Sequence, residues 1–303
     1  MLNDRLKVIQ EKHTQPAASR KKSGTRHTQR EEIQEKMEKA WEQNSGQFNP
    51  DSNCIERSRI ERTMHAIASA LDVRNKRIAD IGCGTGTISK LLSKAGSGPI
   101  DAVDVAECAL NRLKEKNDGN ITLIQDCFPM TRLNDDFYDI VICTEVIGFL
   151  PASIYKLGFI ELSRILKNSG HLIFSTELDL HSDEALEQLQ AMAEGEFTIQ
   201  KWVFFHHSSY NKLCRFFEFP QKKCDAKFLK WVWKTIALCF NPIAQFLRQS
   251  DQVMNALEKL TKVIRPHAGI SHVLFIGQRH DIGYKIEKQM GNDFKNTGEK
   301  LKA

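Results

Sequence analysis

The chain has 303 residues, of which 41% are apolar and 27% are charged, and its formal net charge is +5. These values predict a globular protein long enough for one complete α/β domain with additions. The first residues lack the apolar stretch of a secretory signal, and the best apolar run is interrupted by Lys230 and Lys234. We therefore expect neither secretion nor a membrane-spanning helix.

The chain has eight cysteines, without a C-x-x-C pair and without Cys/His metal-binding spacing. Several lie in segments that read as strand or helix, which is typical of reduced, partly buried thiols. The sequence thus predicts a cytoplasmic protein with no disulfide and no bound metal.

The N-terminal region, residues 1–45, is rich in lysine and arginine with few apolar residues between them. We expect a partly disordered arm followed by a charged helix over Glu31–Gln43. Attraction to nucleic acid or to an anionic membrane is one interpretation of the arm, and a solvated tail is the favoured one. Residues Ile55–Leu71 then repeat apolar side chains at helical spacing.

The segment Ile78–Gly86 is the most informative part of the chain. It reads as a buried strand that enters a loop with glycine at every second position: Gly82, Gly84 and Gly86. Such glycines permit positive φ and leave room for a ligand, and the helical pattern that follows presents free N–H groups to it. A dinucleotide fingerprint would place its third glycine at Thr87, and no P-loop pattern occurs. A nucleoside-bearing cofactor is therefore expected here.

Two further predicted strands also end in acids. Residues 99–104 end at Asp104, and Ile121–Asp126 end at Asp126. An acid at the second strand end can accept both hydroxyls of a ribose. The alternatives are a solvent-exposed acid at Asp104 and a turn cap at Asp126.

Together, the Asp-x-Gly-x-Gly-x-Gly run from Asp80 to Gly86 and the two later acids resemble class I S-adenosylmethionine (SAM)-dependent methyltransferases. The likeness extends to the type-11-like domain of quinone-biosynthesis and other small-molecule enzymes. It implies an α/β, Rossmann-like sheet of seven mostly parallel strands, with an antiparallel last strand, helices on both faces and SAM as cofactor. The implied cofactor-binding residues are Asp80, Gly82, Cys83, Gly84, Thr85, Gly86, Asp104, Val105, Asp126, Cys127, Thr144 and Glu145.

The resemblance also assigns roles to individual residues. A carboxylate such as Asp80 suits the ammonium group of SAM, directly or through water. Asp126 is implied to accept from the adenine amino group, with the N–H of Cys127 at a ring nitrogen. Arg57, Arg59 and Arg62 either face the SAM carboxylate or form a solvated helix face.

Residues Phe137–Val146 resemble the fourth strand of the family and the start of its following loop. A departure from the resembling enzymes comes just after them. Relatives often carry a Glu-His pair there, whereas this chain has Gly148 and Phe149. That removes the obvious general base and leaves Phe149 as an apolar wall. The catalytic base is therefore unassigned, with His206, His207 and Tyr210 as weak candidates.

The domain organisation follows from these segments. The expected core comprises residues 46–206 and 268–280, including a sixth strand at Phe197–Phe205 and a seventh at Ile270–Gly277. Between them lies an insertion of aromatic and basic character, residues 207–267, which reads as helical, with a break at Asn241-Pro242. It either packs on the core, shapes an apolar acceptor pocket, or touches a membrane surface through residues 226–248. Residues 281–303 read as a disordered tail.

The expected function is methyl transfer from SAM to an unidentified small-molecule or lipid-like acceptor. One alternative is an RNA or protein methyltransferase recruited by the basic arm. Another is a SAM-binding protein without turnover.

Overall fold

A computed structural model of the chain describes residues 26–44, 48–115, 119–178, 184–218, 240–266 and 269–281. The predictions for the first 25 residues, for residues 226–239 of the suggested membrane contact and for nearly all of the tail lie outside these ranges. The limits of the core and of the insertion therefore stay predictions.

The first half of the chain places two helices ahead of three strands. The elements are α1 (Arg26–Asn44), α2 (Cys54–Ala70), β1 (Ile78–Ile81), α3 (Thr87–Lys94), β2 (Ile100–Asp104), α4 (Glu107–Lys114) and β3 (Ile121–Gln125). Strands β1 and β2 are buried along their whole length, as expected of inner strands covered on both faces.

The second half completes the sheet and carries the helical insertion. Its elements are β4 (Tyr138–Thr144), two short 3₁₀ turns, α5 (Tyr155–Ile165), β5 (Leu166–Glu177), α6 (Glu184–Glu194), β6 (Phe197–Phe205), α7 (Ser208–Glu218), α8 (240–249), α9 (Asp251–Ile264) and β7 (His272–Arg279).

The seven strands form one sheet in the order β3-β2-β1-β4-β5-β7-β6. Strand β7 runs antiparallel to both of its neighbours, and the other pairings are parallel. This confirms the predicted Rossmann-like fold. The strand order reverses between β1 and β4, so the crevice at the carboxyl ends of these two strands is where a ligand is expected.

Strand β5 is irregular near its start. Residues Asn168, Ser169 and Gly170 form a bulge inside it. Leu166 pairs with Tyr138 and His171 with Ile140, so the six residues 166–171 of β5 lie opposite the three residues 138–140 of β4. Ser169 has a φ of 58°, which lets the chain turn locally while the strand continues.

Helices of the insertion pack on the start of α2. Cys54 from α2, Tyr210 and Cys214 from α7, Leu247 from α8 and Met254 from α9 form one buried apolar cluster. Ser250 caps α9 by accepting from the N–H of Val253. None of the helices in the described ranges has the length and apolar character needed to span a bilayer.

Candidate active site

The glycine loop after β1 is held open by its backbone conformation. Gly82, Gly84 and Gly86 have φ values of 70°, 54° and 69°. A Cβ at Gly84 would lie 2.7 Å from a ring carbon of Trp41, and one at Gly82 would collide with Val146. Only glycine fits at these two positions, so the loop brings bare backbone to the surface of a cavity.

That cavity has a volume of about 940 Å³ and lies along the carboxyl ends of β1, β2 and β4. Eleven of the twelve predicted cofactor residues line it. The exception is Gly86, whose Cα faces Leu113 of α4 instead. The structure thus brings together nearly all of the site that the sequence predicts.

Asp80, at the inner end of the loop, is a buried carboxylate. Its Oδ2 accepts a hydrogen bond from the hydroxyl of Ser89, one turn into α3, at 2.5 Å. Burial raises the pKa of Asp80 to about 6, and the nearby Asp104 carboxylate adds to the rise, whereas the bond from Ser89 opposes it. A bound cation would compensate the cost of ionising this group.

Asp104 is fixed by backbone donors. Its Oδ2 accepts from the N–H of Gly84 at 2.8 Å, and its Oδ1 accepts from the N–H of Ala106 at 2.9 Å. Burial raises its pKa, and these bonds counteract the rise. Each carboxylate oxygen keeps a lone pair for a further donor such as a ribose hydroxyl.

Asp126 makes more hydrogen bonds and ion pairs within the protein than the sequence suggests. It accepts from the N–H groups of Cys127 and Arg132, and the guanidinium of Arg30 from α1 lies 2.5 Å away. Burial raises its pKa, but these bonds and the charges of Arg30 and Arg132 outweigh burial, so the pKa is lowered. The Cys127 N–H expected at an adenine nitrogen donates to Asp126 itself in this structure.

Helix α1 forms one wall of the cavity, which the sequence does not reveal. Trp41 is buried, lies against Gly84 and packs on Phe48, with ring centroids 4.6 Å apart and ring planes inclined by 36°. Glu38 accepts from the N–H groups of Glu107 and Cys108, so its carboxylate caps α4 from another helix. Helix α4 has no side-chain cap of its own.

The three arginines of α2 have different environments. Arg57 pairs with Asp251 and Arg62 with Glu258, both on α9. Arg59 is 9% exposed and lines the cavity, with one guanidinium nitrogen 2.6 Å from Glu56. Its Nε and Nη1 have no hydrogen-bond partner among the described residues. A buried guanidinium with two unsatisfied nitrogens fits an anionic group of a ligand.

Glu145 follows β4 and lines the cavity between the glycine loop and the part of the wall on the side of β5, β7 and β6. It has a left-handed backbone, with a φ of 60°, and accepts from the Ser175 hydroxyl at 2.8 Å. The Nε2 of His272 lies 4.0 Å from its Oε2. Burial raises the pKa of Glu145 and lowers that of His272 to about 3, so a neutral imidazole stands beside a carboxylate of increased basicity.

The predicted catalytic candidates occupy different positions. Tyr210 lines the cavity, and its hydroxyl donates to the carbonyl of Leu247 and contacts Cys54 Sγ at 3.1 Å. His206 and His207 are buried and do not line the cavity, and His207 lies 3.7 Å from Glu258. The structure thus gives neither histidine access to the cavity.

The remainder of the cavity wall is mostly apolar. It is formed by the loop after β4, the end of β5, and helices α6 and α7, and includes Ile147, Phe149, Leu150, Tyr155, Leu178, Leu189 and Met192. A Cβ at Gly148 would meet only the Thr176 hydroxyl at 3.8 Å, so space is left at this position. Within the described ranges, no group of three or more His, Cys, Asp or Glu side chains could hold a metal ion.

The suggested membrane contact is described only in part. Of its residues, Ile243 and Phe246 on α8 are exposed, and Phe216 at the end of α7 is exposed as well. This arrangement is compatible with a contact surface, which stays a prediction.

Comparisons with known proteins agree with this geometry. Residues 78–170 match a family model described as a methyltransferase domain. A ubiquinone biosynthesis O-methyltransferase from Histophilus somni is 30% identical over 151 residues, which cover 47% of this chain and 60% of that protein. A ribosomal protein L11 methyltransferase from Leptospira interrogans is 26% identical over 132 residues, covering 42% of each. This chain therefore spans less than two thirds of either relative.

A solved structure supports the fold. The N-methyltransferase NodS from Bradyrhizobium japonicum, in complex with S-adenosylhomocysteine (SAH), superposes with a TM-score of 0.52 at 14% identity, covering 82% of this chain and 99% of that one. The three proteins are named for an O-methylation, a ribosomal protein and an N-methylation. Their names share a methyl transfer and differ in acceptor.

Proposed function

We propose that this chain, which carries a class I SAM-dependent methyltransferase domain in residues 78–170, transfers the methyl group of SAM to a small-molecule or lipid-like acceptor. The observation that supports it best is the union of the glycine loop, two strand-end carboxylates and the unsatisfied Arg59 guanidinium in one cavity. These groups match a ligand with a ribose, an ammonium group and a carboxylate.

The residues have distinct roles in this proposal. Asp104 accepts from the ribose hydroxyls, Asp80 balances the ammonium charge, and Arg59 binds the carboxylate. Trp41 and α1 cover the cofactor and exclude water from it. Bound SAM supplies a methyl group that is already activated, so the protein has mainly to position the acceptor in a dry site.

The acceptor then lies on the side of the cavity away from the glycine loop, against the apolar wall formed by the loop after β4, the end of β5, α6 and α7. Glu145, with His272 beside it, is the group placed to remove a proton if the acceptor is a hydroxyl. An acceptor amine would need less help from a base. The apolar wall favours a small molecule with an apolar body over a nucleic acid or a protein chain.

Two measurements test the proposal. Calorimetry with SAH should give a micromolar dissociation constant, raised about tenfold in Asp104→Asn, because one charge-assisted contact contributes about 1.5 to 3 kcal/mol. Incubation with methyl-labelled SAM and a host extract, fractionated into lipids, RNA, proteins and small molecules, should label lipids or small molecules. Absence of SAH binding contradicts the cofactor assignment, labelled RNA or protein contradicts the acceptor class, and binding without any label contradicts turnover.

A further inference from the structure

The acceptor side of the cavity is not uniformly apolar. Two arginines line it, Arg215 from α7 and Arg248 at the end of α8. Arg215 is exposed and Arg248 is partly buried, so the two cations belong to the rim and not to the floor. Neither takes part in the cofactor contacts proposed above.

Local structure places these two arginines at the same end of the cavity. Tyr210, Asn211, Cys214 and Arg215 line the cavity, and their spacing puts them on one face of α7. The Tyr210 hydroxyl donates to the carbonyl of Leu247, the residue before Arg248. Helix α7 and the end of α8 therefore meet at Tyr210, with a cation on each.

Topology separates this end from the cofactor loop. The loop follows the inner strand β1, whereas α7 follows the edge strand β6, which lies four positions from β1 in the sheet. His272 starts β7 beside the end of β6 and also lines the cavity. Glu145, His272 beside it, Tyr210 and Arg215 thus all line the same cavity.

The charge environment of Arg215 differs from that of nearby arginines. Arg57 and Arg62 each form an ion pair with a carboxylate of α9. Among the described residues, no carboxylate lies within ion-pair distance of Arg215. A guanidinium at a cavity rim without such a partner can bind a carboxylate or phosphate through two parallel hydrogen bonds.

We propose that the acceptor is an amphipathic anion: its apolar body lies against Phe149, Leu189 and Met192, and its carboxylate or phosphate binds Arg215 and Arg248 at the rim. The inference rests on the proposed function, because it assigns the substrate class of that site. The cavity volume is near the upper end of the range of about 300 to 1,000 Å³ for ligand sites, as expected if cofactor and acceptor are bound together.

The test uses the full chain saturated with SAH and ten-carbon probes that differ only in their head group. Calorimetry with decanoate, decyl phosphate, decanol and decylamine should show that an anion binds at least tenfold more tightly than decanol, with decylamine weakest. Tighter binding of decanoate than of decyl phosphate assigns a carboxylate, and the reverse order assigns a phosphate.

Variants locate the contact. Arg215→Gln and Arg248→Gln should each reduce anion affinity about five- to tenfold and leave decanol affinity unchanged. Lys212→Gln is the matched control, because Lys212 is an exposed cation on α7 that does not line the cavity. Arg215→Glu should reverse the order, so that decylamine binds more tightly than decanoate.

The outcomes separate the two claims. SAH affinity is measured first in every sample, and its absence contradicts the proposed function. If SAH binds but decanoate, decyl phosphate and decanol bind equally or not at all, only the present inference is wrong. It is also wrong if both glutamine variants behave like Lys212→Gln while their melting temperatures match that of the unaltered protein.

Discussion

The indole of Trp41 lies directly over Gly84, so that a Cβ on this glycine would be 2.7 Å from the ring. Trp41 belongs to α1, which lies before the matched methyltransferase domain, whereas Gly84 belongs to the glycine loop inside that domain. The same loop donates its Gly84 N–H to Asp104. Contact with α1 and orientation of the carboxylate that we propose to bind the ribose are therefore coupled through Gly84.

A double-mutant cycle should reveal this coupling. Gly84→Ala introduces a clash and a strained positive φ, so we expect SAH affinity to fall at least tenfold. Trp41→Ala should lower affinity about fivefold by removing the apolar cover. Because Trp41→Ala also removes the clash, the double variant should lose less than the sum of both effects. Strict additivity in calorimetry would show that the contact is irrelevant to binding.

Removing the cap that Glu38 provides should loosen α1. Glu38→Gln replaces a charged acceptor at the start of α4, which should lower the free energy of unfolding by about 1 kcal/mol and speed up SAH dissociation. Glu35→Gln is the control, since Glu35 lies on the same helix and, within the described part of the chain, its ion pair is with Lys39 on the surface. Stopped-flow displacement of SAH measures the rate, and equal rates in the two variants would exclude the cap as a determinant.

The role assigned to Arg59 can be tested with two ligands. Arg59→Gln should weaken SAH about tenfold or more and leave the affinity for 5′-methylthioadenosine, which has no carboxylate, nearly unchanged. Arg57→Gln is the control from the same helix, because Arg57 contacts Asp251 and not the cavity. An equal loss of affinity for both ligands would mean that Arg59 stabilises the fold and does not bind the carboxylate of SAH.

Asp80 connects cofactor binding with stability and pH. Its folded-state pKa of about 6 exceeds the ordinary value, so the stabilisation from holding its proton is complete below about pH 4 and lost as pH rises through 6. Asp80→Asn should therefore raise the free energy of unfolding by about 3 kcal/mol at pH 7.5, with no gain near pH 4, while SAH affinity falls. Urea unfolding at both pH values checks this, and a gain independent of pH would contradict the ionisation argument.

The sequence predicts those parts of the site whose signals are local. Alternate glycines and acids at strand ends lie within a few residues of the strands that position them, so Asp80, Asp104 and the loop could be identified. Trp41 and Glu38 gave no such signal, because their contacts join α1 to loops that follow much later. Arg59 was one of three candidate arginines, and only the structure separates it from Arg57 and Arg62, which pair with α9. His272 was missed for the same reason: the register that pairs it with Glu177 brings it beside Glu145. Ser89 could have been found, since it lies one turn into a predicted helix that starts at the loop.

The placement of α1 and α2 ahead of the matched domain also has an evolutionary consequence. The glycine loop and the strand-end acids lie inside residues 78–170, whereas Trp41, Glu38 and Arg59 lie before them. Under the proposed function, selection can alter the residence time of the cofactor through substitutions in the leading helices without disturbing the glycine loop proposed to bind the nucleoside. Two descendants of this chain could share an identical domain and still differ in how quickly they exchange SAH for SAM.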